Sequence, residues 1–360
     1  MHSKVLIVTA ACLWPVFAWP QQNQSIDPMW LFVPDRLAPL DFELSEPVMG
    51  SDIPVRYEFV ELRDGVYAPI AIRTPEGPGP FPTIVFAHMN GGYGLRWLRE
   101  WTQYGSGTLE RFLDEGYAVV WMRYRAEVDT DFSVPLTVRP FQGRQRYSRG
   151  PQEFEDAIDI IEFVRALPEV DASRVGYMSV SHGGEMLLKI ASQYHGLAAG
   201  IATEPAATGF LAPRPRDPNA PPPPEEPETL PVNTPDMQRE AVAALRARLD
   251  MDTALERLNS IQTPIFVVGR DRDHNQETFR LVYELLDELG KTVQWQSYDH
   301  DEHGFSFIER NADGVYDPDP IQREVVAAAI AWFDRYLKAA PQSSPALEYS
   351  ETAGGDWVFD

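Results

Sequence analysis

Cysteine is almost missing from this 360-residue chain, in which Cys12 stands alone. Disulfides therefore cannot hold the mature fold together, even in a compartment that permits them. A lipid-anchor cysteine favours an aliphatic residue three positions earlier, and this chain has Thr9 there. The sequence thus argues against a lipoprotein.

Basic residues are also scarce: 31 Lys and Arg stand against 54 Asp and Glu, for a formal net charge of -23. A field of this sign repels phosphate backbones, so nucleic acid is excluded as a partner. Solubility is the simplest explanation of such an acidic surface.

Long apolar runs are few, and the main one lies at the N-terminus. Val5 to Ala18 is too short for a membrane-spanning helix, and no later stretch qualifies, so we expect no stable membrane insertion. Lys4 before the run and the small Ala18 at its end are typical of a cleaved signal peptide, 1–18. We therefore expect an exported protein, periplasmic or secreted, with an N-terminal arm at 19–54.

Strand and helix patterns alternate from Phe81 onward, after two strands that predict an antiparallel pair at 55–62 and 66–73. The later strands are continuous apolar runs, which is typical of a parallel sheet covered on both faces. Further strands are predicted at 83–87, 117–122, 174–178, 198–203, 264–268 and 293–298. Helices are predicted at 107–115, 151–167, 184–193, 237–258, 277–289 and 320–337.

Proline is abundant in one place, with eleven residues between Pro205 and Pro235. Such a segment cannot form the interior of a helix or strand. The segment and the predicted helix after it lie between two sheet strands. We therefore expect an insertion, 205–258, that forms a proline-rich lid on a main domain at 55–338. A C-terminal tail follows at 339–360.

Ser181 lies on a short turn between a strand pattern and a helix pattern. The positions two before and two after it are the small residues Ser179 and Gly183. A serine on such a strand–turn–helix junction is typical of a nucleophile elbow. The backbone N–H of His182 then begins a helix and points toward any oxyanion that forms.

A serine nucleophile needs a histidine base and an acid that orients it. Elimination by position leaves His300 and His303, after the last predicted strand. His303 is favoured because Gly304 lets the backbone turn over the site and Phe305 packs behind the ring.

The acid is expected after the strand at 264–268, where Asp271 and Asp273 both qualify by position. The residue that is not the acid would be a helix cap or a partner of Arg270 or Arg272. Glu204, at the end of the preceding strand, is a further alternative.

The loop at 88–92 is expected to supply the second oxyanion donor, the backbone N–H of Met89 or Asn90. Tyr93 and Trp97 follow and are candidates for the wall of an acyl pocket.

Two acidic and histidine-containing clusters, 271–274 and 299–303, suggest a metal. Interleaved arginines argue against the first cluster and the triad explains the second, so we expect neither metal nor cofactor.

These motifs resemble the α/β-hydrolase fold, and in particular the dienelactone hydrolase and prolyl-oligopeptidase-like group. The resemblance covers about 55–338 and is carried by the Ser-His-Gly-Gly at 181–184, the Gly-Arg-Asp at 269–271 and the His-Gly-Phe at 303–305. It implies Asp271 as the acid. Ser179 departs from the usual glycine. The β-propeller of the group's larger peptidases is not found before Val55, so a small substrate fits better than a peptide.

The sequence therefore predicts an exported serine hydrolase that cleaves a small ester, lactone or acyl-sugar by a Ser181–His303–Asp271 mechanism. One alternative is a serine peptidase on short peptides, for which Glu204 is the candidate that captures a substrate amine. Another is a non-catalytic binding protein on a hydrolase scaffold.

Overall fold

Nine strands form one sheet in the part of the chain that the structure describes. This computed structural model describes residues 44–65, 67–87, 94–123, 151–215 and 234–338, without the side chains of 44, 94–97 and 151–152. The strands are β1 (Leu44–Glu46), β2 (Val55–Glu61), β3 (Tyr67–Arg73), β4 (Phe81–Ala87), β5 (Ala118–Met122), β6 (Val170–Val180), β7 (Ala199–Thr203), β8 (Ile265–Arg270) and β9 (Val293–Tyr298).

The strand order is β1-β2-β3-β5-β4-β6-β7-β8-β9. The first three strands are antiparallel to one another, and β3 pairs antiparallel with β5. All pairs from β5 to β9 are parallel. The mostly parallel sheet expected from the apolar runs is therefore confirmed, together with the antiparallel pair that precedes it.

Eight helices accompany the sheet within the described residues. They are α1 (Gly94–Tyr104), α2 (Gly107–Asp114), α3 (Pro151–Ala166), α4 (His182–Ala191), α5 (Pro235–Arg246), α6 (Met251–Asn259), α7 (Gln276–Glu288) and α8 (Pro320–Phe333). A π-helical turn, Asp334–Lys338, extends α8.

One helical prediction was wrong, and one helix was not predicted. The single helix expected at 237–258 is two helices, because Asp250 caps a new one: its carboxylate accepts from the N–H of Thr253 at 3.4 Å. The helix that was not predicted is α1, whose Trp101 packs against Phe307 with ring centroids 5.4 Å apart.

Apolar side chains cover both faces of the sheet, because successive residues of a strand point to opposite sides. On β4, Ile84 and Phe86 join a cluster with Phe112 of α2 and Phe333 of α8. The alternate residues of the same strand, with α3, α4 and α7, form the other cluster. Helices thus lie on both faces, and the carboxyl edge of the sheet is left for the site.

The described helices of the 205–258 insertion pack against α7. Val242, Leu245 and Leu249 are buried in the core cluster. The guanidinium of Arg246 donates to both carboxylate oxygens of Glu288 at 2.5 and 2.6 Å. The helices are therefore docked on the domain. Residues 216–233 lie outside the described part, and a lid over the site stays a prediction.

Of the helices described, none has both the length and the apolar composition needed to span a bilayer.

Candidate active site

Four neighbouring strands, β6 to β9, run parallel and end at the same edge of the sheet. Ser181 follows β6, Glu204 follows β7, Asp273 comes shortly after β8 and His303 comes shortly after β9. In open parallel sheets, binding and catalytic residues lie outside the carboxyl ends of the strands. The topology therefore carries these four side chains to one edge.

Ser181 adopts a left-handed backbone conformation, with φ 56° and ψ -116°. A non-glycine residue there is strained, and such strain is found at functional sites. The turn is fixed by its own backbone: the N–H donates to the Thr203 carbonyl at 2.9 Å, and the carbonyl accepts from Gly184 and Ala206 at 2.9 and 3.0 Å. A Cβ on Gly184 would lie 2.8 Å from Pro205, so the tight turn requires this glycine.

Ser179, where the resembled group has glycine, is compatible with the elbow. Its buried hydroxyl donates to the carbonyl of Ile201 on the neighbouring strand at 2.7 Å. The polar atom is satisfied, so burial carries no desolvation penalty from an unpaired group.

The helix after the elbow begins at His182, and the first N–H groups of a helix have no acceptor within it. The His182 N–H thus lies at a helix start, which is the kind of position expected of an oxyanion donor. The His182 side chain points away from this role and contacts two glutamates. It is completely buried, with Nε2 3.3 Å from Glu153 and Nδ1 3.5 Å from Glu185. Burial alone would lower the pKa of His182, but hydrogen bonds to these two glutamates outweigh it and raise the pKa.

His303 places its Nδ1 beside two carboxylates, 3.3 Å from Glu204 Oε1 and 3.5 Å from Asp273 Oδ2. The two acids are buried, whereas the histidine side chain is 37% exposed. Hydrogen bonds to Asp273 and then to Glu204 raise the pKa of His303 to about 9. Burial would raise the pKa of Asp273, but the hydrogen bond from His303 helps to lower it to about 2.

The structure places Asp273, and not the expected Asp271, beside His303. Its Oδ1 accepts from the Ser297 hydroxyl of β9 at 2.5 Å. The chain then turns, with the Asp273 N–H donating to the Arg270 carbonyl at 3.0 Å. This turn, two residues further on, brings the Asp273 carboxylate to His303. Asp273, the alternative that position had left open, thus lies where the acid is needed.

Glu204, a minor alternative from the sequence, is part of the same cluster. It is buried with φ 47°, and its Oε2 accepts from the N–H of Gly304 at 2.6 Å. In the sequence, its position at the end of a predicted strand indicated that Glu204 could lie near the site. Its contact with the loop that carries His303 could not be predicted, because it depends on the fold. A carboxylate held in this way is not available to capture a substrate amine.

Arg270 joins the two carboxylates. Its Nε donates to Glu204 Oε1 at 2.6 Å, and its Nη2 donates to Asp273 Oδ2. Ligand atoms of Glu204, Asp273 and His303 all lie within 4.8 Å of one another, which is the spacing of a metal site. The guanidinium already supplies positive charge to both carboxylates, so a metal ion would have to displace it.

His300, the other histidine candidate, has both ring nitrogens engaged. Its Nδ1 accepts from the N–H of Glu302 at 3.0 Å, and its Nε2 lies 2.9 Å from Asp319 Oδ2. The ring also stacks on Phe305 at 5.0 Å. His300 therefore holds the loop that carries His303, and it is poorly placed to act as the base.

The predicted second oxyanion donors, Met89 and Asn90, lie outside the described residues, as does Tyr93. The side chain of Trp97 is also outside them. The second donor and the acyl pocket therefore stay predictions.

Two family models match overlapping parts of the chain. The model described as the C-terminal region of BAAT and acyl-CoA thioester hydrolases matches residues 153–303. The model described as X-Pro dipeptidyl-peptidase of the S15 family matches residues 64–211. Each covers less than half of the chain. Curated protein sequences contain no match to it.

Solved structures with a similar fold include three peptidases. The Pyrococcus horikoshii acylaminoacyl peptidase aligns with TM-score 0.52 and 18% identity, over 82% of this chain and 44% of that one. Porphyromonas gingivalis dipeptidyl peptidase 4 aligns with TM-score 0.50 and 18% identity, over 78% and 35% of the two chains. A Mycobacterium tuberculosis puromycin-hydrolyzing peptidase aligns with TM-score 0.50 and 16% identity, over 82% and 41%.

The sheet, the elbow and the solved structures of similar fold show that the chain has the α/β-hydrolase fold. The two family models that match parts of it are named for a thioester hydrolase and a peptidase. The chain spans less than half the length of each of these peptidases.

Proposed function

We propose that the protein cleaves a carboxylic ester through an acyl-enzyme on Ser181. The observation that carries this proposal is the strained elbow at Ser181 on the same sheet edge as His303, whose Nδ1 faces buried carboxylates. A serine held in this way, with an oriented histidine, is the arrangement that acyl transfer requires.

The reaction follows from these positions. Nε2 of His303 accepts the Ser181 hydroxyl proton as the oxygen attacks the carbonyl carbon. The oxyanion that forms lies at the start of α4, where the His182 N–H stabilises it. Protonated His303 then gives its proton to the leaving alcohol. Water deacylates the serine by the same steps, while Asp273 holds the imidazole in the required tautomer.

An ester is favoured as the substrate because the thioester-hydrolase model spans Ser181, Asp273 and His303, whereas the peptidase model ends before the last two. A coenzyme A thioester is disfavoured, because its phosphates meet a chain of formal net charge -23. A small neutral ester, lactone or acyl-sugar fits both observations. Cleavage of short peptides is the second candidate, supported by the peptidase model over 64–211.

A fluorophosphonate probe combined with a substrate panel tests this proposal. The wild-type protein should be labelled and Ser181→Ala should not. Chromogenic acetyl and butyryl esters should turn over faster than matched peptide p-nitroanilides. Labelling of Ser181→Ala would overturn the nucleophile assignment, and faster turnover of the peptide amides would favour the peptidase.

We further propose that the protein is exported and that the 205–258 insertion sets the substrate size. Export predicts a mature chain beginning at Trp19, which N-terminal sequencing of the secreted or periplasmic fraction tests. Replacing 212–231 by a Gly/Ser linker should change the ratio of turnover on bulky esters to that on acetyl esters. An unchanged ratio would contradict the size-setting role.

A further inference from the structure

Glu204 is held in place by hydrogen bonds to its backbone and to both of its carboxylate oxygens. Its backbone N–H donates to the Val268 carbonyl at 2.7 Å, which ties it to the neighbouring strand. One carboxylate oxygen accepts from Arg270, and the other accepts from the N–H of Gly304. The carboxylate therefore has a fixed position and a fixed direction relative to the histidine loop.

The same carboxylate lies closer to the His303 ring than Asp273 does. The distances to Nδ1 are 3.3 Å for Glu204 Oε1 and 3.5 Å for Asp273 Oδ2. The Nδ1–H group of His303 thus faces two acceptors, one from the end of β7 and one from the turn after β8. In a Ser-His-Asp triad one such acceptor is enough to set the tautomer.

Arg270 makes the pair of acids compatible. Two buried carboxylates side by side repel each other, and a guanidinium that donates to both offsets this repulsion. With Arg270 counted, the two acids and the guanidinium carry one net negative charge. This charge favours the imidazolium that forms when His303 takes the serine proton.

We propose that Glu204 is a second positioning residue for His303 and shares with Asp273 the task of orienting and stabilising its ring. The proposal rests on the proposed function. It adds to that function a second acid, supplied by a different strand.

Glu204, Asp273 and Arg270 are the charged groups that approach the ring from β7 and β8. His274 lies 3.4 Å from Asp273 on the far side of that acid. Asp301 and Glu302 precede His303 on its own loop and are exposed. Because Glu204 is among the groups that raise the pKa of His303, its removal should lower that pKa.

The test is the pH dependence of kcat/KM on p-nitrophenyl acetate for Glu204→Gln, Asp273→Asn and the double variant. Glu204→Gln should move the acid limb to lower pH by about one unit. Asp273→Asn should lose far less than the about 10⁴-fold that follows loss of a single orienting acid. The double variant should approach that full loss. A double-mutant cycle over the four proteins then measures the coupling energy between the two acids.

Asp271→Asn is the matched control, because it removes a neighbouring carboxylate that bonds to Ser297 instead. It should leave the acid limb in place. An unmoved acid limb in a folded Glu204→Gln overturns the proposal, as does a full about 10⁴-fold loss in Asp273→Asn alone. The latter result decides the question even if Glu204→Gln does not fold.

Failure of the proposed function gives a different result. If Ser181→Ala retains wild-type turnover, the serine mechanism is wrong whatever the two acids do. If Ser181→Ala loses turnover while Glu204→Gln keeps the wild-type acid limb, the serine mechanism stands and the role of Glu204 does not.

Discussion

His303 and His182 each lie beside two buried carboxylates, in arrangements that differ. Both acids next to His303 approach the same nitrogen, Nδ1, and the ring is 37% exposed. The acids next to His182 approach opposite nitrogens, Glu153 at Nε2 and Glu185 at Nδ1, and its ring is completely buried. Among the described residues, the acids contact His303 only at Nδ1, which leaves Nε2 for the proposed proton transfer. Both ring nitrogens of His182 face a glutamate.

This difference in contacts shows that a general base cannot be recognised from residue types alone. Both clusters contain a histidine and two carboxylates, and in both the histidine pKa is raised. Access to one ring nitrogen separates a histidine that can accept the serine proton from one that supports the helix start. The two geometries fit the proposed role of His303 as the base and a structural role for the His182 side chain.

The largest expected effect is the loss of turnover in His303→Ala. Without its base, Ser181 is a weak nucleophile, and kcat should fall on the order of 10⁶-fold. The ring is partly exposed, so the fold should be retained. Steady-state kinetics and circular dichroism check both points. Substantial turnover in a folded His303→Ala would break the distinction between the two histidines.

His182→Ala should have the opposite effect to His303→Ala, because it should lower the stability of the fold. It leaves Glu153 and Glu185 buried without the imidazole between them, which costs about 3–5 kcal/mol of unfolding free energy. Urea unfolding measures this loss. The exposed His195 is the control, because His195→Ala should change stability by less than about 0.5 kcal/mol. Equal stability of the two variants would contradict a clamped His182.

The pH profile of the wild-type protein should sharpen the comparison. A general base must be neutral, and the pKa of His303 is raised to about 9, so kcat/KM should rise with pH up to about 9. The same shift stabilises the fold fully below the unfolded histidine pKa of about 6.5, and this contribution is lost as pH rises through about 9. An acid limb centred at or below pH 6.5 would show that the two acids do not act on His303 as described.

The smallest effect is expected at the edge of the His182 cluster. Lys189 Nζ lies 3.3 Å from Glu185 Oε1, one helical turn away. Lys189→Met should cost about 0.5 kcal/mol, the value of a helical i,i+4 pair, and should leave kcat unchanged. The loss in unfolding free energy is measured by urea unfolding and compared with that of His182→Ala. A loss as large as that of His182→Ala would mean that Lys189 stabilises the buried glutamates as much as His182 does.

The sheet and the elbow were predictable because their signals are local. A continuous apolar run, a small-residue turn and a helix pattern follow one another around Ser181, and the structure has β6, the turn and α4 there. The break between α5 and α6 was missed, because the apolar pattern continues through a cap that Asp250 creates.

The acid was harder to predict, because Asp271 and Asp273 differ by two positions in one turn. Which carboxylate reaches His303 depends on the turn geometry and on Ser297 of the next strand, which bonds to Asp271. The contact of Glu204 with Gly304 joins residues 100 positions apart. Neither contact leaves a pattern in a local window of sequence.

The bond between Glu204 and Gly304 also has a consequence for how the protein assembles. It joins the loop after β9 to the end of β7, so that loop can be fixed only after β7, β8 and β9 lie side by side. Contacts of such long sequence separation form late, because the chain between them must first be ordered. We therefore expect the arrangement around His303 to form late in folding, so that recovery of turnover after dilution from urea should lag behind recovery of the helical circular dichroism signal.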